Sequence, residues 1–373
     1  MKLSRFGATV ALSTTLALAF SGCAANEGGG GAGASPGSTE SAAQELSGTL
    51  TGVGSSAMAS AQETWVAEFQ TANADITVNY SPDGSGAGRD AFTGGGADFA
   101  GSDRALDAEE LVPEALTKSR CAEGSKAINL PVYISPIAVI YNLEGVDSLK
   151  LDAATTAGIF KGEITKWNDP KIAAQNDGVS LPNSNITAVH RADDSGTTEN
   201  FTDYLHALAP EVWDAEPDGE WPIEGGEAAQ GTSGVVDAVT NGSGTIGYAD
   251  ASRAGDLGVA EIKVGDAYVK YSPEAASALV DASPRAEDPE RSQNDLAFVL
   301  DRKASGEVYP IVLVAYAIAC EKYEDPQVAA RVKAYLSYIG SAEGQQAAAE
   351  KVGNAPLSAE LSDRVEAAAN SIA

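Results

Sequence analysis

The residues with the most obvious chemical potential lie in the stretch HRADDSGTTENF, from His190 to Phe201. Arg191 stands two residues before Asp193, and a glycine flanked by hydroxyl residues follows in the run Ser195, Gly196 and Thr197. Guanidinium groups, hydroxyls and the unpaired N–H groups of a helix start are donors that proteins use to hold an oxyanion. The stretch therefore indicates an anion-binding site. The two other acidic residues, Asp194 and Glu199, are interpreted as solvated charge.

Two further stretches share this design, because a strand-like run enters a turn rich in Gly, Ser or Thr that opens a helix. The three turns are GVGSSAMAS, PDGSGAGRD and DDSGTTENF. At a helix N-terminus the first N–H groups are unpaired and the helix dipole is positive, which favours an anion. Any one of these turns could equally be an ordinary Ser or Thr helix cap. Three of them in one chain, near an Arg and an Asp, favour the anion site.

The composition limits the partners that such a site could have. The chain has 373 residues, enough for about two domains, with a formal net charge of -29 and a pI near 4.2. A surface this acidic repels nucleic acid and anionic lipid headgroups. An anion must therefore be bound by a local arrangement of donors, against the field of the whole protein.

Several other kinds of site find little support in the sequence. The nucleotide-binding pattern GxxxxGKS or GxxxxGKT is absent, and with two histidines there is no His/Cys cluster of metal-binding spacing. Ser195 lies near both histidines in sequence, but the GxSxG pattern of many serine hydrolases is absent. We therefore expect a binding protein rather than an enzyme, with no catalytic residues, cofactor or metal.

The N-terminus predicts export. Residues 1–22 have a short basic start and an apolar stretch too short to span a bilayer, which is typical of a signal peptide. Cys23 follows Ser-Gly, and this resembles the lipoprotein pattern in which the cysteine is lipidated. The alternative is ordinary cleavage that leaves a free thiol. Residues 23–45 are rich in Gly and Ser and predict a flexible tether. We expect a protein anchored by lipid at the outer face of the cell membrane.

The rest of the chain alternates between strand-like and helix-like patterns, which favours an α/β fold. AEELVPEALTK is predicted to be helical, and Trp167 is predicted to be a core residue rather than a ligand contact. Asn168 or Asp169 is predicted to cap a helix whose first residue is Pro170. Cys121 and Cys320 lie close to the apolar runs LPVYISPIAVIYN and YPIVLVAYAIAC. In an exported protein this pair predicts a disulfide, and the alternative is two buried free thiols.

The motifs also carry a family resemblance. In order, TGVGSS, DGSGAGRDAF, ADFAGSD, IFKGEITKWNDPKI, ITAVHRADDSGTTENFTDYL and GTIGYAD resemble the phosphate-binding protein of the high-affinity phosphate ABC transporter. The resemblance covers nearly the whole chain from Leu46 onward, and RADDSGT is its most specific part. It implies a two-lobed, periplasmic-binding-protein-like fold of type II with the ligand in the interlobe cleft. Lobe I would comprise 46–133 and 308–373, and lobe II 134–307. The crossings would lie near Ile134 and Val308, inside two long strand-like runs, 130–141 and 308–319.

The resemblance also implies a function. The protein would capture inorganic phosphate outside the cytoplasm, as a monomer, and deliver it to the permease and ATPase of an ABC importer. A receptor for another tetrahedral oxyanion, such as sulfate or molybdate, is the first alternative. A surface hydrolase or phosphatase is the second.

Carried over residue by residue, the resemblance implies nine phosphate-binding positions and one supporting residue. The first turn would give backbone N–H groups and the Ser56 hydroxyl, the second a hydroxyl and an N–H, and the third three N–H groups and two hydroxyls. Asp193 would hold the guanidinium of Arg191, although a surface ion pair of little value remains the alternative. Relatives often have Thr and an aromatic residue where this chain has Ser56 and Ala57. The nine positions are Ser55, Ser56, Ala57, Ser85, Asp103, Arg191, Ser195, Gly196 and Thr197.

Asp103 would give the site its selectivity. Near neutral pH phosphate retains at least one proton, and its P–OH group can donate to an ionised carboxylate. Sulfate has no proton to donate and would meet the same carboxylate as an uncompensated repulsion. The alternative for Asp103 is a helix N-cap, and the two roles are compatible.

Overall fold

The computed structural model describes residues 46–373. The predicted signal peptide, Cys23 and the tether lie outside the described residues. Within the described part, no helix combines the length and the apolar character that a membrane span requires.

Strands and helices alternate along most of the described chain, which confirms the α/β class. The strands are β1 Gly48–Gly54, β2 Ile76–Ser81, β3 Phe99–Ser102, β4 Ala127–Asn142, β5 Lys150–Leu151, β6 Thr187–Arg191, β7 Glu227–Ala229, β8 Thr245–Asp250, β9 Gly258–Val259, β10 Glu261–Val264, β11 Ala267–Val269 and β12 Val312–Cys320. The helices are α1 Ala59–Ala72, α2 Ser85–Thr93, α3 Ala108–Leu111, α4 Ala153–Phe160, α5 Pro170–Ala173, α6 Gly196–Leu208, α7 Gly231–Asn241, α8 Pro273–Ala282, α9 Pro326–Gly340, α10 Ala342–Val352 and α11 Ala359–Asn370, with a short 3-10 helix at Ala251–Arg253.

The larger sheet has nine strands, eight of them in the order β2-β1-β3-β12-β4-β8-β6-β7, with β9 paired to β4. We call β1, β2 and β3 the first strand group, and β6, β7 and β8 the second strand group. Strands are parallel within each group, and the antiparallel pair β4 and β12 stands between the groups. This topology is that of a two-lobed fold, as expected.

Strand β4 is long enough to serve both groups. From Ala127 to Pro136 it pairs with β12, and from Ile137 to Asn142 it pairs with β8. The partner therefore changes close to Ile134, where a crossing was predicted. The prediction that Val308 lies inside the second crossing strand was wrong, because β12 begins only at Val312. Val308 is buried, so its apolar character reflects burial outside a strand. The lobe boundaries stay a prediction.

Burial explains why these central strands are uninterrupted apolar runs. All residues of β12, and all of β4 except its last, are buried because helices and neighbouring strands cover them. Trp167 is fully buried, which confirms it as a core residue. Asp169 caps α5 and Pro170 is the first residue of that helix, as predicted. Cys121 and Cys320 form a disulfide, with an S–S distance of 2.03 Å.

The predicted helix over AEELVPEALTK is largely wrong. Helix α3 ends at Leu111, and Val112 has an extended backbone. The cause is Pro113, since the residue before a proline is disfavoured in the helical conformation. The remainder of the stretch forms turns.

Candidate functional site

The first turn, between β1 and α1, is only partly available to a ligand. The N–H of Ser55 donates to the carbonyl of Gly101 at 2.8 Å, and that of Ala57 to Ser55 Oγ at 3.1 Å. The expectation that these two N–H groups face a ligand was therefore wrong, because both are occupied within the turn. The N–H of Ser56 has no acceptor among residues 46–373 and remains the backbone donor of this turn.

The hydroxyls of the first turn reach residues elsewhere in the fold. Ser55 Oγ donates to Asp103 Oδ1 in a short contact. Ser56 Oγ lies 3.0 Å from Thr232 Oγ1 and accepts the N–H of Thr232 at 3.1 Å. The first turn follows β1 of the first strand group, and it contacts the start of α7, which lies between β7 and β8 of the second strand group along the chain.

The second turn places Ser85 as the first residue of α2, after Gly84 with φ +106°. Ser85 is buried, and its hydroxyl oxygen accepts the N–H of Asp103 at 3.1 Å. The hydroxyl proton and the backbone N–H of Ser85 have no acceptor within the described chain. A Cβ at Gly84 would lie 2.6 Å from Asp193 Oδ2, so the turn packs against the third turn too closely for any other residue.

Asp103 lies directly after β3 and is 3% exposed. Its two oxygens accept from Ser55 and, at 2.9 Å, from Thr197 Oγ1, so hydroxyls from both halves of the sheet meet on one carboxylate. Burial raises the pKa of Asp103, while the two hydroxyls, Arg191 and Arg89 act in the opposite direction. Asp103 is not a helix cap, because Asp107 caps α3.

Arg191 ends β6 and is 3% exposed. Its Nε donates to Asp193 Oδ1 at 2.8 Å, and its Nη2 donates to Asp193 Oδ2 in a short contact. Burial opposes ionisation of Asp193, but the bonds from Arg191 and from the N–H of Gly231 outweigh it and lower the pKa. The pair is therefore a buried fork rather than a surface ion pair. Nη1 of Arg191 has no acceptor in the described part.

The third turn opens α6. Ser195 is the N-cap and accepts the N–H of Thr198 at 3.3 Å. Its own N–H donates to the carbonyl of Gly219 at 3.0 Å, so the expectation of three available N–H groups here was wrong by one. The N–H groups of Gly196 and Thr197 have no acceptor among the residues described. A Cβ at Gly196 would lie 2.7 Å from Asp103 Cβ, which explains the glycine.

The structure thus brings the three turns, Asp103 and the Arg191–Asp193 pair together through direct contacts. The donors left without a protein acceptor come from both halves of the sheet, and they lie on Arg191 and in the three turns that bond Asp103. They are the N–H groups of Ser56, Ser85, Gly196 and Thr197, the hydroxyls of Ser85 and Ser195, and Nη1 of Arg191. Such a set can hold a small anion that also carries a proton for Asp103.

Sequence reasoning missed the start of α7. Gly231 donates to Asp193 and Thr232 bonds Ser56, so both support the predicted residues. The signal was present, because α7 begins with Gly231, Thr232 and Ser233, a fourth Gly/Thr/Ser-rich helix start. The short strand β7 that precedes it, Glu227–Ala229, has no apolar run to reveal it.

Two further acidic residues were misjudged as solvated charge. Asp194 pairs with the buried Arg89 at 3.0 Å, and Glu199 pairs with Arg104 at 3.1 Å. Burial raises the pKa of Glu199 to about 7, although Arg104 opposes the shift. Neither arginine was predicted to take part, since their partners are distant in sequence. Within residues 46–373, no group of His, Cys, Asp and Glu is arranged to hold a metal ion.

The chain is similar to known proteins over its full length. Residues 39–343 match the PBP superfamily domain. Phosphate-binding protein PstS 3 of Mycobacterium tuberculosis is 39% identical over 384 aligned positions, covering 100% of both chains. Phosphate-binding protein PstS 2 of the same organism is 34% identical over 384 positions, again with 100% of both covered.

Solved structures share the fold. A high-affinity periplasmic phosphate-binding protein, PfluDING, bound with phosphate at pH 8.5, matches with a TM-score of 0.67 and 24% identity, covering 86% of this chain and 93% of that one. A phosphate binding protein from Stenotrophomonas maltophilia matches with a TM-score of 0.64 and 20% identity, over 86% and 94%. At 24% and 20% sequence identity, these two solved structures are evidence for the fold only. With the domain match and the full-length relatives, the chain belongs to the PBP superfamily and, within it, to the family of phosphate-binding proteins.

Proposed function

We propose that this protein captures inorganic phosphate by closing its two halves around one ion. The observation that carries the proposal is the set of unpaired donors, drawn from both strand groups, around the single buried carboxylate of Asp103. The donors would hold the phosphate oxygens, with the Arg191 guanidinium, fixed by Asp193, as the one cation. The nine residues carried over by resemblance remain our proposed site. Seven of them would contact the ion, whereas Ser55 and Ala57, whose N–H groups are occupied, would shape the first turn.

Asp103 would select a ligand that still carries a proton. With both of its oxygens already accepting hydroxyls, the carboxylate keeps lone pairs for one more donor, and a phosphate P–OH supplies it. A fully ionised oxyanion has no proton to share and would meet a buried negative charge. The same argument separates phosphate from sulfate in the proposed site.

The location, the oligomeric state and the transport partners of the protein are also proposals. Full-length relatives are named as phosphate-binding proteins, which supports a receptor rather than an enzyme. We infer that the protein acts outside the cytoplasm as a monomer, attached by lipid at Cys23, and passes phosphate to the permease and ATPase of an ABC importer. Mass spectrometry of the mature N-terminus would test the lipid, and light scattering after gel filtration would test the monomer.

The function is tested by calorimetric titration of the ligand-stripped protein with phosphate, and then with sulfate, at pH 6, 7 and 8. One-to-one phosphate binding with no response to sulfate supports the proposal. Equal binding of the two ions would replace it with a general oxyanion receptor. If neither ion binds, the three turns are helix caps only, and a different ligand must be sought.

A further inference from the structure

Asp194 occupies an unusual position between the two halves of the sheet, outside the proposed ligand contacts. Its carboxylate accepts from Nη2 of Arg89, at 3.0 Å to Oδ2 and 3.3 Å to Oδ1. Its backbone carbonyl accepts the N–H of Gly86 at 3.2 Å. Asp194 follows β6, whereas Arg89 and Gly86 belong to α2, which lies between β2 and β3. One residue of the second half is thus bound by both side chain and backbone of the first.

The space around the Asp194 carboxylate exists only because two glycines border it. A Cβ at Gly86 would lie 2.2 Å from Oδ2, and a Cβ at Gly219 would lie 2.1 Å from Oδ1. Real Cβ atoms do not approach so closely, so any side chain at either position would displace the carboxylate. We call this space, bordered by Gly86, Gly219 and Arg89, the Asp194 slot.

Arg89 makes the contact sensitive to the separation of the two halves. Its side chain is only 6% exposed and has two carboxylate partners, Glu110 at 3.2 Å and Asp194. Glu110 lies on α3, in the same half as Arg89, so that pair persists when the halves separate. Asp194 would move away, leaving the guanidinium with one carboxylate instead of two. An interaction present only in the closed state shifts the equilibrium toward that state.

We propose that Asp194 is a positioning residue that holds the closed state: seated in its slot against Arg89, it keeps the two halves together and slows the release of phosphate. The proposal rests on the proposed function for its ligand, but its geometry concerns closure itself. Asp194 stands between Asp193 and Ser195, while Arg89 lies one helical turn after Ser85. The contact between Asp194 and Arg89 therefore holds the third turn, which contains Asp193, against the second turn, which contains Ser85.

The test measures phosphate association and dissociation rates by stopped flow for the full mature protein and for Asp194→Asn, Arg89→Met and the double variant. For a partly exposed pair we expect each single variant to release phosphate about tenfold faster, with an association rate within about twofold of the parent. The double variant should release phosphate no faster than either single one. In Asp194→Asn the phosphate-to-sulfate preference should stay unchanged, because Asp194 does not touch the ligand. Asp237→Asn, which removes an exposed carboxylate from α7, is the matched control.

A third variant separates the slot from the charge. Gly219→Ala retains both Asp194 and Arg89 but fills the slot, so we expect the same faster release. Urea unfolding of every variant checks that the fold is intact. Unchanged release in the three single variants, or effects of Asp194→Asn and Arg89→Met that simply add, would overturn the proposal.

Closure can also be measured without ligand, which distinguishes failure of this proposal from failure of the proposed function. Small-angle X-ray scattering of the ligand-free proteins should show a larger radius of gyration for Asp194→Asn than for the parent. If the parent protein does not bind phosphate, the proposed phosphate function is rejected. The scattering comparison still tests whether Asp194 in its slot holds the two halves together. If the parent and Asp194→Asn have identical radii of gyration and identical release rates, the proposed role of Asp194 is rejected and the proposed function is not.

Discussion

Thr197 donates a 2.9 Å hydrogen bond to Asp103, although the two residues follow strands on opposite sides of the central pair β4 and β12. Ser55 donates to the other oxygen of the same carboxylate. Asp103 is therefore complete as an acceptor only when the two halves are together. Selectivity and closure depend on the same residue, and this governs what its variants should do.

Replacing Asp103 with Asn should relax the rejection of sulfate more than it harms phosphate binding. The amide removes the buried negative charge and can donate to a sulfate oxygen. The measurement is calorimetric titration of Asp103→Asn with both ions at pH 7. Continued exclusion of sulfate by this variant would show that the proton-counting argument is wrong.

Arg191→Ala should weaken phosphate binding by about 2–5 kcal/mol, the usual effect of removing one partner of a buried charge pair. Asp193 would remain buried without its cation, which adds to the loss. Arg364→Ala removes an exposed guanidinium from α11 and should leave the affinity unchanged. A loss below tenfold in Arg191→Ala would exclude Arg191 from the site.

Gly196→Ala should disrupt the meeting of α6 with Asp103, because its Cβ would lie 2.7 Å from Asp103 Cβ. Overpacking of this kind costs about 1–3 kcal/mol, here divided between stability and phosphate affinity. Gly234→Ala, in the first turns of α7, is a suitable control, since its nearest contact would be an ordinary 3.5 Å. Equal affinities for the two variants would mean that the site tolerates a wider separation of α6 from Asp103.

Glu199 should make the protein less stable as the pH rises toward 7. Burial raises its pKa from 4.5 to about 7 in the folded protein, so the folded state binds its proton more tightly than the unfolded chain. Its stabilising contribution is complete below pH 4.5 and is lost as the pH passes through 7. With the side chain 26% exposed, the loss should be on the order of 1–2 kcal/mol.

Urea unfolding of the parent and of Glu199→Gln between pH 4.5 and pH 7.5 checks this. The variant should show a flatter dependence of the unfolding free energy on pH, because its amide does not titrate. Glu216→Gln, at an exposed position, should follow the parent. Parallel pH curves for parent and Glu199→Gln would contradict the prediction.

The sequence predicted the anion-binding turns because their chemistry is local. A helix start with unpaired N–H groups is encoded within a few consecutive residues, and so is the Arg191–Asp193 fork. Which N–H groups stay unpaired is not local. Gly101 occupies the N–H of Ser55 and Gly219 that of Ser195, and neither carbonyl has a sequence signal.

Long-range ion pairs escaped prediction for the same reason. Arg89 and Asp194 are separated by 105 positions, and only the folded sheet brings them together. The acidic composition also concealed them, because an ordinary carboxylate in such a chain is solvated. The wrong helix prediction at AEELVPEALTK has a local cause. Pro113 disfavours the helical conformation at Val112, and this effect can be read from the sequence.

Strand β4 has a consequence for how the protein unfolds. Its 16 residues complete the sheet of one half through β12 and of the other through β8. Without this strand the sheet would divide into β2-β1-β3-β12 and β8-β6-β7, so β4 is the strand that joins the two halves. A loss of packing in either half is therefore transmitted to the other, and denaturation should be a single cooperative transition despite the two-lobed architecture.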